Sequence, residues 1–452
     1  MKKIIHWAGA TTLAIAGAAA GISQAAVKPN VIFILTDDLG YGELGCYGQQ
    51  LIKTPCLDQM AAEGKLLTRH YAGSPVCAPS RCVLLTGKHS GHTAIRGNKE
   101  LKQGQQPLPA DEVTLGEMFK AAGYTTACIG KWGLGWVNTE GDPNRQGFDY
   151  FYGYLCQRLA HSYYPVSLWR NSEEVPLPGN DQKSGPFYSH DLMTEEALSF
   201  VQKNQTNSFF LYLTYTIPHT KFQVPELGEY AKTDWLPDHK IHAAMISRLD
   251  RDCGRLLDEL KKLGLDNKTL VVFTSDNGAH GEGGTLEKFK ASGDLHGKKR
   301  DVYEGGIRVP LLVRWPGTVA PGTTSDQVCA FWDWMATFCE LTGQPVPAET
   351  DGQSMVPLLL DQKGWRPHDY LYWEFHEQGG KQAVLQGRWK AVRLKVSTDR
   401  NGPVELYDLE KDPSEKQNVA AQYPEKAQEL SALMKSSRVP NEYFDFMPVK
   451  KP

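Results

Sequence analysis

The sequence predicts an α/β fold, with a large, mainly parallel sheet sandwiched by helices and a smaller C-terminal antiparallel sheet plus a helix. Two observations predict it. Up to about residue 365, apolar and β-branched runs alternate with helix-like stretches, which is typical of a parallel sheet with crossover helices. Beyond that point, short aromatic and β-rich runs are separated by Gly, Asn and Asp, which favours a small antiparallel sheet.

The strands are predicted from apolar runs. Runs rich in β-branched and aromatic side chains are typical of strands. Those of the large sheet are VIFIL at 31–35, TTACIG at 125–130, FFLYLTY at 209–215 and LVVFT at 270–274. Those of the small sheet are YLYWEF, QAVLQGRWKAVRL and VELYDL.

Helix signals lie between and after these strands. Thr54, Pro55 and Gly64 have the order of an N-cap, a first helical residue and a stop. Thr114 and Glu117 have the spacing of a capping box. Apolar residues at helical spacing predict an amphipathic helix from about residue 242 to 262. A closing helix over about 424–437 is expected to pack on the small sheet.

Composition indicates a folded protein without a strong overall charge. Of its 452 residues, 41% are apolar and 22% are charged, with 49 basic against 52 acidic residues. We therefore expect no nucleic-acid partner. The length suits one large domain plus a smaller one, which we place at 26–365 and 366–452.

Residues 1–25 have the pattern of a cleaved secretory signal. Lys2 and Lys3 precede a short apolar stretch that ends in small residues at Ser23 and Ala25. The stretch is shorter than the roughly 20 apolar residues of a membrane-spanning helix. We expect the export machinery to deliver the protein to the periplasm or the medium, without a stable membrane anchor.

Two of the predicted strands end alike. Asp37 and Asp38 follow the first strand after one threonine, and Asp276 and Asn277 follow strand 270–274 after one serine. Ligands of parallel sheets bind beyond the carboxyl ends of strands, so neighbouring ends would gather four oxygen-bearing side chains. Such a set favours calcium, with magnesium second. The alternative is that each pair only caps a helix or forms a turn.

Cys77 lies in the run SPVCAPSRCVLLTG at 74–87. Pro79 is predicted to open a helix that runs through Leu85 and ends at Gly87. Cys77 would then lie just before the helix N-terminus, which favours negative charge, and Arg81 would project one turn in.

The run CAPSR at 77–81, continued by LTG at 85–87, resembles the signature of type I sulfatases, whose cysteine a maturation enzyme oxidises to formylglycine. Further matching blocks occur in order: Asp37-Asp38, GKWGLG at 130–135, Pro218-His219, SDNG at 275–278 and YEGGIRVP at 303–310. The resemblance implies an alkaline-phosphatase-like fold. It also implies an arylsulfatase-like sulfuric ester hydrolase that releases inorganic sulfate from a sulfated small molecule or glycan, with a sulfated carbohydrate expected.

The resemblance also implies residue roles. Calcium would be held by Asp37, Asp38, Asp276 and Asn277. Cys77, as formylglycine hydrate, would be the nucleophile, and Arg81 would orient it. Lys131 and Lys299 would contact the sulfate, with Lys298 as the alternative to Lys299, and His219 would be the general acid for the departing alcohol.

The chain departs from the family pattern at Gly133, where the family usually has a histidine. We hypothesise that His161 replaces it or contacts the substrate; the alternative is a surface-loop histidine. His376 is a further candidate for the sugar-binding side.

Two other functions remain open from the sequence. Phosphodiesterases and phosphonate monoester hydrolases share this fold and chemistry. A catalytically inactive sulfate-binding protein is the third possibility, suggested by Gly133.

Overall fold

The computed structural model describes residues 28–101 and 104–446, so the predicted export signal lies outside the described residues. None of the helices in this part of the chain has both the length and the apolar character that crossing a bilayer requires.

The strands, in chain order, are β1 Asn30–Asp37, β2 Lys65–Tyr71, β3 Glu100–Leu101, β4 Gly104–Gln105, β5 Thr125–Lys131, β6 Tyr150–Tyr154, β7 Ser167–Arg170, β8 Glu173–Pro176, β9 Phe209–Pro218, β10 Thr269–Ser275, β11 Arg308–Arg314, β12 Thr323–Ser325, β13 Cys329–Ala330, β14 Leu371–Phe375, β15 Lys381–Gln386, β16 Trp389–Leu394 and β17 Glu405–Asp408. The α-helices are α1 Pro55–Ala62, α2 Cys77–Thr86, α3 Leu115–Ala121, α4 Ser189–Lys203, α5 Pro237–Lys262, α6 Thr285–Phe289, α7 Glu304–Ile307, α8 Asp333–Thr342, α9 Val356–Leu359 and α10 Pro424–Ser436.

The large sheet is mixed, with a parallel centre. Its order is β12-β2-β11-β10-β1-β9-β5-β6-β7-β8, and β13 also pairs with β2. The five central strands, from β10 to β6, run parallel, while β11 and β7 pair antiparallel with their inner neighbours. The predicted mainly parallel sheet is confirmed.

Both faces of this sheet are buried, which explains the uninterrupted apolar run of β1. Val31, Phe33 and Leu35 lie in one core cluster, which also contains residues of α2, α3 and α8. Ile32 and Ile34 lie in the other, with residues of α1, α4 and α5. Alternate side chains of one strand thus enter opposite cores, and helices cover the sheet on both sides.

Three predicted helix starts agree with the structure to different degrees. The capping box of Thr114 and Glu117 is confirmed. Thr54 precedes α1 as predicted, but its hydroxyl does not cap that helix. Asp250 of α5 does so instead, accepting from the backbone N–H groups of Cys56 at 3.1 Å and Leu57 at 2.7 Å. Helix α5 itself begins at Pro237, before the predicted residue 242.

The predicted small sheet is also confirmed, as the antiparallel order β14-β15-β16-β17. Its Tyr372 and Val384 pack in one cluster with Leu430 of α10. Trp373, on the opposite face of β14, belongs to the core of the large sheet. The two sheets share packing, and the division at 365/366 stays a prediction.

Candidate active site

Two neighbouring strand ends form the floor of the site. Thr36 of β1 pairs with Ser275 of β10 in a parallel register, so the residues that follow emerge at one edge. The Asp38 backbone N–H donates to Asp276 Oδ1 at 3.2 Å, and Asn277 Nδ2 donates to Asp38 Oδ1 at 2.7 Å. All four side chains of the predicted metal set, Asp37 included, are fully buried. The structure therefore brings this set together.

Cys77 lies against this floor. Helix α2 begins at Cys77, not at Pro79 as predicted, because Val76 is the extended residue before the helix. Pro79 is tolerated at the third position, where a backbone N–H has no partner inside the helix. The Cys77 Sγ is 3.5 Å from Asp37 Oδ1. Burial, with the nearby Asp37 carboxylate, raises the pKa of the Cys77 thiol to about 12.

Arg81, one turn further along α2, links the two strand ends. Its Nε and Nη2 donate to Asp276 Oδ2 at 3.1 and 2.8 Å, and Nη1 donates to the backbone oxygen of Lys131 at 2.7 Å. The guanidinium is fully buried. Arg81 thus holds Asp276 and the end of β5 in fixed positions.

Two lysines face the first pair of aspartates. Lys131 Nζ is 2.6 Å from Asp37 Oδ2, and Lys299 Nζ is 2.7 Å from Asp38 Oδ2. Burial alone would lower the pKa of each ammonium, but the aspartates outweigh it and raise both. Lys298 is exposed, so Lys299 is the lysine that reaches this site.

The aspartates respond to the same cations. Burial would raise the pKa of Asp37, but Lys131, His219 and Arg81 outweigh it and hold that pKa well below the usual range. Lys299 similarly overcomes burial at Asp38, whose pKa falls to about 2. At Asp276, burial and Asp37 prevail and raise the pKa to about 7. Asp37 and Asp38 are therefore ionised at neutral pH, and they face three cations. These cations are Arg81, Lys131 and Lys299.

His219 and His161 form a stacked pair above the floor. Their ring centroids are 4.6 Å apart with an interplanar angle of 14°. His219 Nε2 is 3.6 Å from Asp38 Oδ2, and its Nδ1 contacts the backbone oxygen of Thr220. Burial, together with Lys299, lowers the pKa of His219 to about 3. The imidazole is therefore neutral near pH 7 in the substrate-free protein.

A cavity of about 670 Å³ opens above these groups. The predicted residues that line it are Cys77, His161, His219 and Lys299. Those that the sequence did not single out are Asn98, Glu100, Gln105, Gln157, Arg158, Thr220, Lys221, Phe222, Asp238, Glu282, Gly283 and Arg300. Most of them stand on loops, where no periodicity marks them, although polar residues in loops are often functional. Glu100, Gln105 and Asp238 are exceptions and lie in β3, β4 and the first turn of α5.

His376 does not line this cavity. Its ring stacks on Phe446 with centroids 4.2 Å apart, and its Nε2 is 2.9 Å from Glu374 Oε1. The same carboxylate pairs with Arg96 and Arg438. The structure thus places His376 in a buried ion cluster behind the small sheet, which does not agree with the predicted sugar contact.

Comparisons with family models and with known proteins all match this chain to sulfatases. The sequence model of the Sulfatase family matches residues 29–344, and that of the N-sulphoglucosamine sulphohydrolase C-terminal region matches residues 295–439. Arylsulfatase A of Homo sapiens is 34% identical, over 94% of this chain and 90% of that protein. The N-acetylgalactosamine-6-O-sulfatase of Bacteroides thetaiotaomicron is 29% identical, over 91% of this chain and 94% of that protein.

Solved structures agree. The crystal structure of Ps i-CgsB in complex with k-i-k-neocarrahexaose superposes with a TM-score of 0.80 at 29% identity, over 91% of this chain and 93% of that one. The phosphonate monoester hydrolase of Agrobacterium radiobacter, at 21% identity and a TM-score of 0.65, shares the fold. The chain therefore belongs to the sulfatase family, within the alkaline phosphatase superfamily, and is a sulfatase, an enzyme that hydrolyses sulfate esters.

Proposed function

We propose that this sulfatase removes sulfate from a sulfated carbohydrate, with formylglycine derived from Cys77 as nucleophile and Ca²⁺ as the bound metal. The observation that carries the proposal is the position of Cys77 at the cavity wall, 3.5 Å from Asp37. Lys131 and Lys299 form ion pairs with Asp37 and its neighbour Asp38.

The surroundings of Cys77 suit a modified side chain better than a thiolate. Its thiol has no disulfide partner, and burial strongly disfavours its ionised form. The Ala78 backbone N–H, next in the helix, donates to Asn98 Oδ1 at 3.0 Å. Formylglycine at this position would supply, as its hydrate, a hydroxyl nucleophile that could displace the alcohol from sulfur without depending on a thiolate.

The floor of the site suits a hard cation. Asn277 Oδ1 is buried and has no hydrogen-bond partner, although the Nδ2 of the same amide donates to Asp38. A buried acceptor of this kind is costly unless something binds it. Asp37, Asp38, Asp276 and Asn277 would together hold Ca²⁺. The metal would supply Lewis-acid polarisation of the reacting oxygens.

The chain's own cations would bind the anionic ester. Lys131 and Lys299 present fixed ammonium groups beside Cys77, so they need no reorganisation when negative charge develops on the sulfate oxygens. Arg81 acts through Asp276 and Lys131, which makes it a positioning residue.

His219 and Lys299 face the side from which the alcohol would leave. His219 is neutral in the free protein, but a bound sulfate monoester adds negative charge nearby, which raises the pKa of an imidazole. We expect His219 to take a proton on substrate binding and to donate it to the departing oxygen, as a general acid does. Lys299 would stabilise the same oxygen.

The carbohydrate substrate is inferred from the relatives' names. One is an N-acetylgalactosamine-6-O-sulfatase, and the solved structure of another is a complex with k-i-k-neocarrahexaose. Most of the residues that line the cavity have polar side chains, which can form hydrogen bonds with sugar hydroxyls. An exported enzyme, in the periplasm or the medium, would meet such polymers, and a formylglycine-generating enzyme must act on it first.

The test combines mass spectrometry with a substrate screen. Protein from its natural host is digested, the Cys77 peptide is weighed, and sulfate release is measured on a panel of sulfated saccharides and phosphate diesters. We expect an aldehyde at position 77, sulfate release, and a loss of at least a thousandfold in Cys77→Ala. Full turnover with an unmodified Cys77, or a preference for phosphate diesters, would contradict the proposal.

The metal is tested separately by thermal unfolding. After EDTA treatment, Ca²⁺ is expected to stabilise the wild type by about 2.7 kcal/mol at a hundred times its dissociation constant. Asn277→Ala should require a higher Ca²⁺ concentration for the same shift. A wild type that gains no stability from Ca²⁺ would contradict the metal assignment.

A further inference from the structure

The side chain of Gln157 fills the space beside position 133. Gly133 has a φ of +79°, and a Cβ placed on it would lie 2.0 Å from Nε2 of Gln157. That distance is far inside van der Waals contact. In the observed conformation the Gln157 carboxamide occupies the space that a side chain at position 133 would enter, so a side chain there would require this carboxamide to move.

The backbone keeps these two residues together. Past the last pairs of β5 and β6, Trp132 N–H still donates to the Tyr154 oxygen at 2.9 Å, and Gly133 N–H donates to the Leu155 oxygen at 3.0 Å. Gln157 follows two residues later. Its position next to Gly133 is therefore set by the parallel pairing of two central strands.

The side-chain amide of Gln157 has no hydrogen-bond partner among the residues that the structure describes. Gln157 is 6% exposed. Within residues 28–101 and 104–446, it is the only side-chain amide whose nitrogen and oxygen are both buried and unbonded. Leaving buried polar groups unbonded destabilises a fold by about 1–3 kcal/mol each. Such a group needs a partner, and at the wall of a cavity the partner is a water molecule or a bound ligand that displaces it.

The ligand must come from the cavity. Gln157 lines the same cavity as Cys77, His219 and Lys299. The turn that follows it is closed by Ala160 N–H, which donates to the Gln157 oxygen at 3.2 Å, and leads to His161. One short loop thus aims Gln157 and His161 at the space above the nucleophile.

We propose that Gln157 is a substrate-contacting residue, whose Nε2 donates a hydrogen bond to the sulfate group held at position 77 and whose Oε1 accepts from a substrate hydroxyl. The proposal rests on the sulfatase function proposed above. A carboxamide can donate to an anion without changing its own charge, but it cannot take up a proton at neutral pH. Gln157 therefore binds the ester in the space beside Gly133, and proton transfer stays with other groups.

The test uses Gln157→Met, which keeps the length of the side chain and removes both polar atoms, and Gln157→Ala as a second variant. We expect kcat/KM on a sulfated saccharide to fall roughly tenfold to a hundredfold in both, the loss of one hydrogen bond to a charged group. Binding of inorganic sulfate, measured by calorimetry, should weaken by a similar factor. Thermal stability should be unchanged or higher, because no bond within the protein is lost.

Gln146→Met is the matched control. Gln146 is equally buried but lies outside the cavity, and its Nε2 donates to the Glu140 backbone oxygen at 2.9 Å. This variant should lose thermal stability and keep its sulfate affinity and kcat/KM.

The outcomes separate the two proposals. A wild type that releases no sulfate from any ester contradicts the proposed function. An active wild type whose Gln157→Met variant keeps both kcat/KM and sulfate affinity overturns the role of Gln157 alone. So does a loss of kcat/KM in Gln157→Met that is not accompanied by weaker sulfate binding.

Discussion

The conservative change Arg81→Lys is expected to be strongly destabilising, although it keeps the charge. The guanidinium makes three hydrogen bonds, two to Asp276 Oδ2 and one to the Lys131 backbone oxygen. One ammonium can replace only one of them. The variant loses one bond to a carboxylate, about 1.5–3 kcal/mol, and leaves a buried carbonyl unbonded at about 1–3 kcal/mol. We therefore expect a loss of about 3–5 kcal/mol in the free energy of unfolding.

The assay is urea unfolding in EDTA, followed by tryptophan fluorescence, together with kcat/KM on a sulfate ester. Catalysis should fall at least tenfold, because Asp276 is no longer held in a fixed orientation. Arg255→Lys is the control, since Arg255 is 39% exposed and pairs with Glu195 and Asp252 near the surface; it should change stability by less than about 0.5 kcal/mol. An Arg81→Lys protein as stable as this control would refute the reasoning.

Two further predictions concern groups away from the reaction. Burial raises the pKa of the Asp250 carboxyl from 3.8 to about 6, so the folded state binds this proton more tightly than the unfolded state does. The protonated group therefore stabilises the fold by up to about 3 kcal/mol, and this stabilisation is lost as pH rises from 4 through 6. Asp250→Asn should lack this slope in urea unfolding from pH 4 to 8, and curves of equal slope would contradict the assignment. His376→Ala should lower the melting temperature and keep kcat/KM, because the His376 ring contacts Glu374 and Phe446. His161→Ala, the comparison at the cavity wall, should lower kcat/KM. The opposite result in the two variants would support His376 as the substrate contact.

The sequence predicts this fold well because its strands are buried on both faces. Continuous apolar runs such as 31–35 and 209–215 have one stable placement, inside a parallel sheet covered by helices. The carboxyl-end rule for parallel sheets then places Asp37 and Asp276 at one edge without further information. What the sequence leaves open is strand order, and β1 must lie beside β10 before those two ends can meet.

Contacts distant in sequence are harder to predict. Thr54 has the local signal of a helix cap, yet the caps of α1 come from Asp250, 194 residues away from Cys56. Tertiary packing overrode the local preference there. His376 looks like an exposed polar candidate in its sequence context, and only the packing of Phe446 and Glu374 around it reveals a structural role.

The site thus divides into two parts with different origins. Most of the charged floor comes from strand ends and from the first turns of α2, where backbone geometry fixes each side chain and a motif in the sequence can report it. Lys299 is the exception, because it stands on the loop between α6 and α7. The wall that faces the substrate comes from loops such as the one carrying Gln157 and His161. The sequence does not show that the amide of Gln157 lies beside Gly133, because it is the parallel pairing of β5 with β6 that brings the two positions together. The glycine at position 133, where the family motif usually has a histidine, therefore has to be considered together with Gln157, whose side chain occupies the adjacent space.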